Sequence, residues 1–143
     1  MLSSITINNP LLSVIHSIKF LHDSIIFQIR CCFLHLTFHF LCYNLLDNAI
    51  KFSKEGGVLG LGVTVKGAKA TVTISNQGET IPPEEQQLVF DRFHKTDHSR
   101  SADRDGVGLG LYIVKTILNS HKESIVCTSE DGVTKFVFTL TRA

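Results

Sequence analysis

Two stretches of the chain repeat apolar residues every three or four positions, which is the spacing of a helix with one buried face. The first covers residues 41–53 and stops at Gly56 and Gly57, which are free to take positive φ. The second follows a run of three alternating glycines near residue 110. Its apolar positions are Leu111, Ile113, Val114, Ile117 and Leu118.

Four shorter stretches alternate apolar and polar residues, which predicts strands with one buried face. Residues 58–66 and 70–76 form one predicted hairpin, and residues 124–130 and 134–140 form another. A short helix is predicted over 81–90, and the polar run 91–106 is predicted to be a long loop. The order of these helices and strands along the chain predicts an α+β fold. It is a two-layer sandwich in which helices cover one face of a mostly antiparallel sheet. Asn76 shares its strand parity with Val72 and Ile74, so its side chain is predicted to face the buried side.

Composition narrows the class of protein. A chain of 143 residues suits one domain, and a formal net charge of +1 argues against binding nucleic acid by bulk electrostatics. The four cysteines form no C-x-x-C pair, which indicates reduced thiols and a cytoplasmic protein.

Residues 1–40 differ from residues 41–143, because they are rich in Leu, Ile, Phe, His and Cys and poor in charge. The longest uncharged run, residues 31–46, is too short and polar for a membrane span, which needs about 20 apolar residues. A metal site built from Cys31, His35, His39 and Cys42 is also disfavoured. A straight helix separates its first and last members by about 16 Å, too far for one tetrahedral ion.

Two groups of residues carry candidate chemistry. Gly106, Gly108 and Gly110 precede a helix, where they could let backbone N–H groups approach an anion or could form a hinge without a ligand. Asn44, Asn48 and Lys51 share a second face of the first helix. That face could supply an oxygen to Mg²⁺ and an ammonium to phosphate, or it could be a solvated polar surface.

The segments "NLLDNAIKFS", "VFDRFHKTD" and "GVGLGLYIVKTI" resemble the N box, F box and second glycine box of sensor histidine kinases. "SNQGETIPPEE" stands where that family has its first glycine box. The resemblance covers residues 41–142 and implies the Bergerat-type ATP-binding fold, with a mixed sheet that is mostly antiparallel. The chain is therefore expected to contain an atypical segment, 1–40, and a catalytic ATP-binding domain, 41–143.

The resemblance also implies roles by position. Asn48, supported by Asn44, would hold Mg²⁺, and Lys51 would contact phosphate. Asn76 and Gly78 would form the adenine end, Phe90 and Phe93 would anchor an ATP lid over 94–107, and the lid would close through its glycines. The residues expected to bind ATP are Asn44, Asn48, Lys51, Asn76, Gly78, Phe90, Phe93, Gly106, Gly108, Gly110 and Leu111.

The sequence departs from the family at several points. Asn76 replaces an aspartate that accepts from the adenine amino group, and Thr80 replaces a glycine. Weaker ATP binding is expected, because a neutral acceptor forms a weaker hydrogen bond than a charged one. His121-Lys122-Glu123 replaces His-Gly-Gly, which is expected to alter a turn and not the site. Neither His16 nor His22 lies in the family's phosphoacceptor motif, so no catalytic residue is assigned.

The expected function is the ATP- and Mg²⁺-binding domain of a two-component sensor histidine kinase, which donates the γ-phosphoryl to a histidine on a separate dimerisation domain. The expected partners are that domain and a response regulator, with contact to a membrane only through a sensor region outside this sequence. The alternative is a kinase remnant that binds nucleotide or a partner without transferring phosphate. One hypothesis for residues 1–40 is a frameshifted or fragmentary reading frame, which translation of the upstream DNA in the other frames would test.

Overall fold

The computed structural model describes residues 2–6, 35–95 and 107–141. Its elements are β1 (Leu2–Thr6), α1 (His35–Lys51), β2 (Val58–Lys66), β3 (Lys69–Gln77), a 3₁₀ helix (Leu88–Phe90), α2 (Gly110–Ser120), β4 (Ile125–Glu130) and β5 (Val133–Thr141). The five strands form one sheet in the order β1-β2-β3-β5-β4, and each of the four described pairings is antiparallel. The predicted α+β architecture is confirmed.

One face of the sheet is buried and the other is partly solvated. Along β3 the residues Ala70, Val72, Ile74 and Asn76 are buried, and the residues between them are only half-buried. The buried face of α1 packs with this side of the sheet and with α2 into one core. The predicted parity of Asn76 is confirmed, and the polar side chain closes the apolar row at the end of its strand.

The elements differ from the sequence predictions at their ends. Helix α1 begins at His35, six residues before the predicted start, because Phe38 continues the apolar stripe into the core. The predicted helix over 81–90 is wrong in its type: turns cover 83–87, and a 3₁₀ helix follows. The residue before a proline is disfavoured in the α region, which keeps Ile81 and Pro82 out of a helix. Strand β1, which pairs with β2, was not predicted.

Residues His121-Lys122-Glu123, which stand where the family has His-Gly-Gly, form the turn after α2. Lys122 has a φ of 59°, its N–H donates to the Asn119 carbonyl, and the Glu123 N–H donates to the Leu118 carbonyl. These two hydrogen bonds form a Schellman motif, in which the left-handed position usually belongs to glycine. Lys122 therefore occupies a left-handed position at a backbone cost that a glycine would not have.

Glu123 is buried at this turn and accepts three hydrogen bonds. The donors are Lys69 Nζ at 2.8 Å, Thr139 Oγ1 at 2.6 Å and Thr141 Oγ1 at 2.5 Å. Burial alone would raise the pKa of Glu123, but these hydrogen bonds and the charge of Lys69 outweigh it and lower the pKa to about 2. A carboxylate therefore joins α2 to the end of the β3–β5 ladder.

Both cysteines that the structure describes are free thiols in the core, Cys42 on α1 and Cys127 on β4. Desolvation by burial raises the pKa of Cys42, and it raises the pKa of Cys127 to about 12. The thiols are therefore unreactive in the folded chain, as expected for structural cysteines.

Candidate nucleotide-binding site

A cavity of about 580 Å³ lies between the second half of α1, the end of β3, the segment 79–89 and the start of α2. Pockets for small molecules typically have about 300–1,000 Å³, so its size suits one such ligand. The cavity brings most of the predicted ligand residues together. Those that line it are Asn44, Asn48, Lys51, Asn76, Gly108, Gly110 and Leu111. Gly78, Phe90 and Phe93 lie outside its lining, and Gly106 lies outside the described residues.

The polar face of α1 forms one wall of the cavity. Asn44, Asn48 and Lys51 all line it, as their helical spacing predicts. Lys51 Nζ lies 2.9 Å from a carboxylate oxygen of Asp47, which also lines the cavity. The wall therefore presents amide groups, one ammonium and one carboxylate.

Asn44 connects α1 to α2. Its Nδ2 donates to the Phe40 carbonyl at 2.8 Å, and its Oδ1 faces Gly110, where an added Cβ would lie 2.9 Å from that oxygen. A side chain at Gly110 would displace the Asn44 amide, so the glycine allows the two helices to meet through Asn44. The first turn of α2 consequently lies directly beside the polar face of α1, and helix N-termini favour anions.

The residues before and after the predicted lid contact each other through their backbones. The Phe93 N–H donates to the Gly108 carbonyl at 3.1 Å, and both residues have positive φ, 62° and 72°. A Cβ at Gly108 would lie 3.0 Å from the His94 carbonyl oxygen, so this position also requires a glycine. Lid residues 96–106 lie outside the described residues.

The two phenylalanines of the F-box-like segment lie in different environments. Phe90 is buried, packs edge-to-face with Phe136 at a centroid distance of 6.1 Å, and has Lys115 Nζ 5.4 Å from its ring centre. Phe93 is 60% exposed, and the Arg92 guanidinium lies 5.2 Å from its ring centre. Phe90 thus belongs to the core, and Phe93 contributes its backbone to the lid base while its ring faces outward.

Asn76 forms the inner end of the cavity. Its side chain is 3% exposed, its Nδ2 donates to the Phe52 carbonyl at 3.3 Å, and it pairs across the strands with Thr134. Thr134 is also buried and lines the cavity. Sequence reasoning missed Thr134, although its place in the alternation of β5 was available as a signal.

The segment after β3 is fixed to the β4–β5 hairpin by three side-chain hydrogen bonds, and a fourth lies within the segment itself. Thr80 Oγ1 accepts from the Gly132 N–H at 2.8 Å, and Ser129 Oγ accepts from the Ile81 N–H at 2.9 Å. Gln86 Nε2 donates to the carbonyls of Ile81 and Ser129. The threonine in place of the family's glycine therefore has a structural partner in this chain.

Glu85 and His94 line the cavity on the side of the lid base, and neither was predicted. Glu85 Oε2 and His94 Nε2 are 3.9 Å apart, too far for a hydrogen bond. Both atoms are buried without a hydrogen-bond partner among the described residues. No pattern in the sequence marks this pair, because it depends on how two irregular segments meet.

The described residues hold neither a metal cluster nor a membrane span. Within 2–6, 35–95 and 107–141 no three His, Cys, Asp or Glu side chains are grouped to hold a metal ion. Of the alternative zinc ligands, Cys31 lies outside the described residues, and Cys42 is buried in the core. In the same part of the chain no helix is long and apolar enough to cross a membrane.

Comparison with known proteins agrees with this geometry. The family described as histidine kinase-, DNA gyrase B-, and HSP90-like ATPase matches residues 35–143. The histidine-protein kinase ArlS of Staphylococcus haemolyticus is 32% identical over 133 residues, with 88% of this chain and 29% of that protein covered. The sensor histidine kinase CusS of Escherichia coli is 37% identical over 97 residues, with 68% of this chain and 20% of that protein covered.

Solved structures show the same fold. The mycobacterial sensor histidine kinase MprB matches with a TM-score of 0.72 and 23% identity, and 98% of each chain is covered. The nucleotide-free catalytic domain of the histidine kinase ThkA matches with a TM-score of 0.70 and 19% identity over 99% of this chain and 96% of that one.

The fold and the cavity define a catalytic ATP-binding domain of the sensor histidine kinase type. The chain belongs to the histidine kinase-, DNA gyrase B-, and HSP90-like ATPase family, and the resemblance predicted from the sequence is confirmed. It spans less than a third of the length of these curated relatives.

Proposed function

We propose that this chain binds ATP together with Mg²⁺ in the cavity and donates the γ-phosphoryl to a histidine on a separate dimerisation domain. The observation that carries the proposal is the meeting of three predicted groups at one cavity: the face of α1, Asn76, and the glycines that precede α2. These groups are far apart in sequence, and a surface that merely needed solvation would not require them to converge.

The side chains present fit the two ligands. Asn48 offers an amide oxygen, the hard donor type that Mg²⁺ accepts, and Lys51 offers an ammonium to phosphate oxygens. Bound Mg²⁺ would neutralise charge on the phosphates. Gly108 and Gly110 line the cavity at the start of α2, where a helix N-terminus favours an anion such as phosphate.

The residues of this chain would act by binding and orienting, because phosphoryl transfer relies mainly on positioning and charge stabilisation. The acceptor histidine would come from a dimerisation domain, and the phosphorylated histidine would then serve a response regulator. ThkA, a histidine kinase of similar fold, has been solved in complex with the response regulator TrrA. ATP and reduced thiols are both typical of the cytoplasm, which supports a cytoplasmic site of action.

A nucleotide titration tests the site. A non-hydrolysable ATP analogue should bind more tightly when Mg²⁺ is present, and Asn48→Ala and Lys51→Ala should each weaken binding at least ~10-fold. Asn119→Ala and Lys54→Ala are matched controls, because both residues are exposed and lie outside the cavity lining. Failure to bind at millimolar nucleotide, or equal binding by all four variants, would contradict the proposal.

A second experiment separates the enzyme from a nucleotide-binding remnant. The chain is mixed with the dimerisation domain of a related histidine kinase and labelled ATP, and acid-labile phosphate on the acceptor is measured. Transfer that Asn48→Ala removes supports a kinase. Binding without transfer to any dimerisation domain tried would favour the remnant.

A further inference from the structure

Glu85 and His94 meet at the cavity beside the base of the predicted lid. Glu85 belongs to the turns before the 3₁₀ helix, and His94 follows directly on Phe93. Both side chains are mostly buried, and neither Glu85 Oε2 nor His94 Nε2 has a hydrogen-bond partner among the residues that the structure describes. Because a buried polar atom without a partner is costly, the pair calls for a change that satisfies both atoms.

Protonation of His94 satisfies both atoms at once. An imidazolium carries an N–H on each ring nitrogen, so Nε2 donates to Glu85 Oε2 once a small movement closes the 3.9 Å gap to about 2.8 Å. A hydrogen bond between opposite charges is roughly twice as strong as one between neutral groups. A neutral ring with its proton on Nε2 also donates to the carboxylate, but it leaves the negative charge of Glu85 unbalanced. The charged ring is therefore the form that completes the pair.

The charges around the cavity give a positive ring a second role. Besides the pair itself, the charged residues among the described lining are Asp47, Lys51, Glu79 and Lys95. Within residues 79–95 and α2 the other charged residues lie outside this lining: Glu84, Asp91, Arg92 and Lys115. When His94 is neutral, the lining thus holds more carboxylates than ammonium groups, which disfavours an anion such as a triphosphate. A positive ring removes this excess of negative charge.

We propose, on the basis of the ATP site proposed above, that His94 faces bound ATP as an imidazolium and that Glu85 is its positioning residue. The ring lines the cavity, so its charge acts on an anion bound there. Glu85 holds Nε2 and keeps the ring at the lid base, next to the hydrogen bond between Phe93 and Gly108. Binding then takes up a proton wherever His94 is neutral in the free chain. By linkage, the affinity for ATP rises as the pH falls.

The experiment measures the affinity for a non-hydrolysable ATP analogue with saturating Mg²⁺ at pH 8 and at pH 6, a range in which histidine side chains commonly gain a proton. The unsubstituted chain should bind at least ~5-fold more tightly at pH 6. His94→Gln cannot take up the proton and Glu85→Gln cannot balance it, so each should lose most of this gain. His121→Gln changes an exposed histidine outside the cavity lining and should keep the gain. The titration of the analogue itself is common to all four chains and cancels in their comparison.

A second measurement needs no nucleotide. A double-mutant cycle of Glu85→Gln and His94→Gln is followed by urea unfolding at the same two pH values. The coupling between the residues, expressed as a factor in the unfolding equilibrium constant, should be at least ~3-fold larger at pH 6, because only a protonated His94 opposes the charge of Glu85. A hydrogen bond with a purely structural role would give the same coupling at both pH values.

The outcomes separate this inference from the site proposal. Equal affinity of the unsubstituted chain at both pH values, or a full gain retained by His94→Gln, overturns the role of His94, while binding lost in Asn48→Ala leaves the ATP site standing. A full gain in Glu85→Gln overturns the positioning role of Glu85. If no nucleotide binds at either pH, the site proposal fails and this inference fails with it. The pH comparison uses the unsubstituted chain, so an absent gain overturns the inference even if neither variant folds.

Discussion

The two ends of the β3–β5 ladder place polar groups in opposite situations. At one end Lys69 pairs with Thr141, and both donate to the buried carboxylate of Glu123. At the other end Asn76 pairs with Thr134, and both line the cavity. The same two strands thus carry a polar cluster closed on itself and a polar surface open to a ligand.

This difference indicates that the end of the ladder with Glu123 is adapted to stability. The Glu123 carboxylate is surrounded by donors of its own chain, so a ligand would have nothing to add there. At the cavity, buried polar atoms of Glu85 and His94 have no hydrogen-bond partner within the described ranges. An unsatisfied buried group in a native protein calls for a further partner, such as a ligand, an ion or a water molecule. Substitutions at the two ends should therefore separate folding from binding.

The largest effect is expected from Gly78→Ala, which acts on both properties. The new Cβ would overlap the Phe52 carbonyl oxygen, and the backbone at the cavity end must move. We expect a loss of about 3 kcal/mol in the free energy of unfolding, measured in urea, with weaker nucleotide binding. Gly56→Ala is the control: Gly56 has a φ of 68° in open space, so the loss should be only about 1 kcal/mol with binding retained.

Glu123→Gln should lower the stability of the fold without changing the affinity for ATP. It removes the charge that three donors satisfy, and hydrogen bonds to charged groups contribute roughly 1.5–3 kcal/mol each, partly offset here by the exposure of Lys69. We expect a net loss of about 2 kcal/mol in urea unfolding and an unchanged affinity for ATP. A change in affinity would show that the two ends are coupled.

The difference in stability between the unsubstituted chain and Glu123→Gln should depend on pH. The pKa of Glu123 is lowered from 4.5 to about 2 on folding, so its stabilising contribution is fully present above pH 4.5 and is lost as pH falls through about 2. The difference in unfolding free energy between the unsubstituted chain and Glu123→Gln should shrink over this window. A difference that stays constant from pH 6 to pH 2 would contradict the assignment.

The smallest effect is expected from Lys122→Gly. Lys122 holds the left-handed position of the Schellman motif, which costs a residue with a side chain about 1–2 kcal/mol, whereas glycine loses more entropy on folding. The relief of the left-handed backbone cost exceeds the added entropy cost of glycine, so we expect the free energy of unfolding to rise by about 0.5 kcal/mol. This gain is detectable as a rise in melting temperature. No gain would mean that the Lys122 side chain makes a compensating contact.

Local patterns were enough to predict much of the fold. The alternation in β2 and β3 predicted both strands and the turn between Lys66 and Lys69, and the parity of Asn76 predicted its burial. Strand β1 could not be found in this way, because five residues at the chain start pair with a strand that begins at Val58. Pairing over such a distance leaves no local period in the sequence.

The candidate site likewise contains residues that the sequence predicts and contacts that it does not. Asn44, Asn48 and Lys51 follow from helical spacing, and the glycines follow from their place before a helix, where backbone N–H groups could approach an anion. The hydrogen bond between Asn76 and the Phe52 carbonyl, and the placement of Glu85 beside His94, arise where separate segments meet. Such contacts depend on tertiary packing, which residue spacing does not encode.

The buried thiols of Cys42 and Cys127 can report how fast their surroundings open. Alkylation needs a thiolate in contact with reagent, and burial denies both to Cys42 and Cys127. Each thiol can therefore be labelled only as fast as its surroundings open. Cys42 lies in the helix that carries the cavity wall, and Cys127 lies in the edge strand β4. The ratio of their labelling rates would compare the opening of these two parts without any introduced probe.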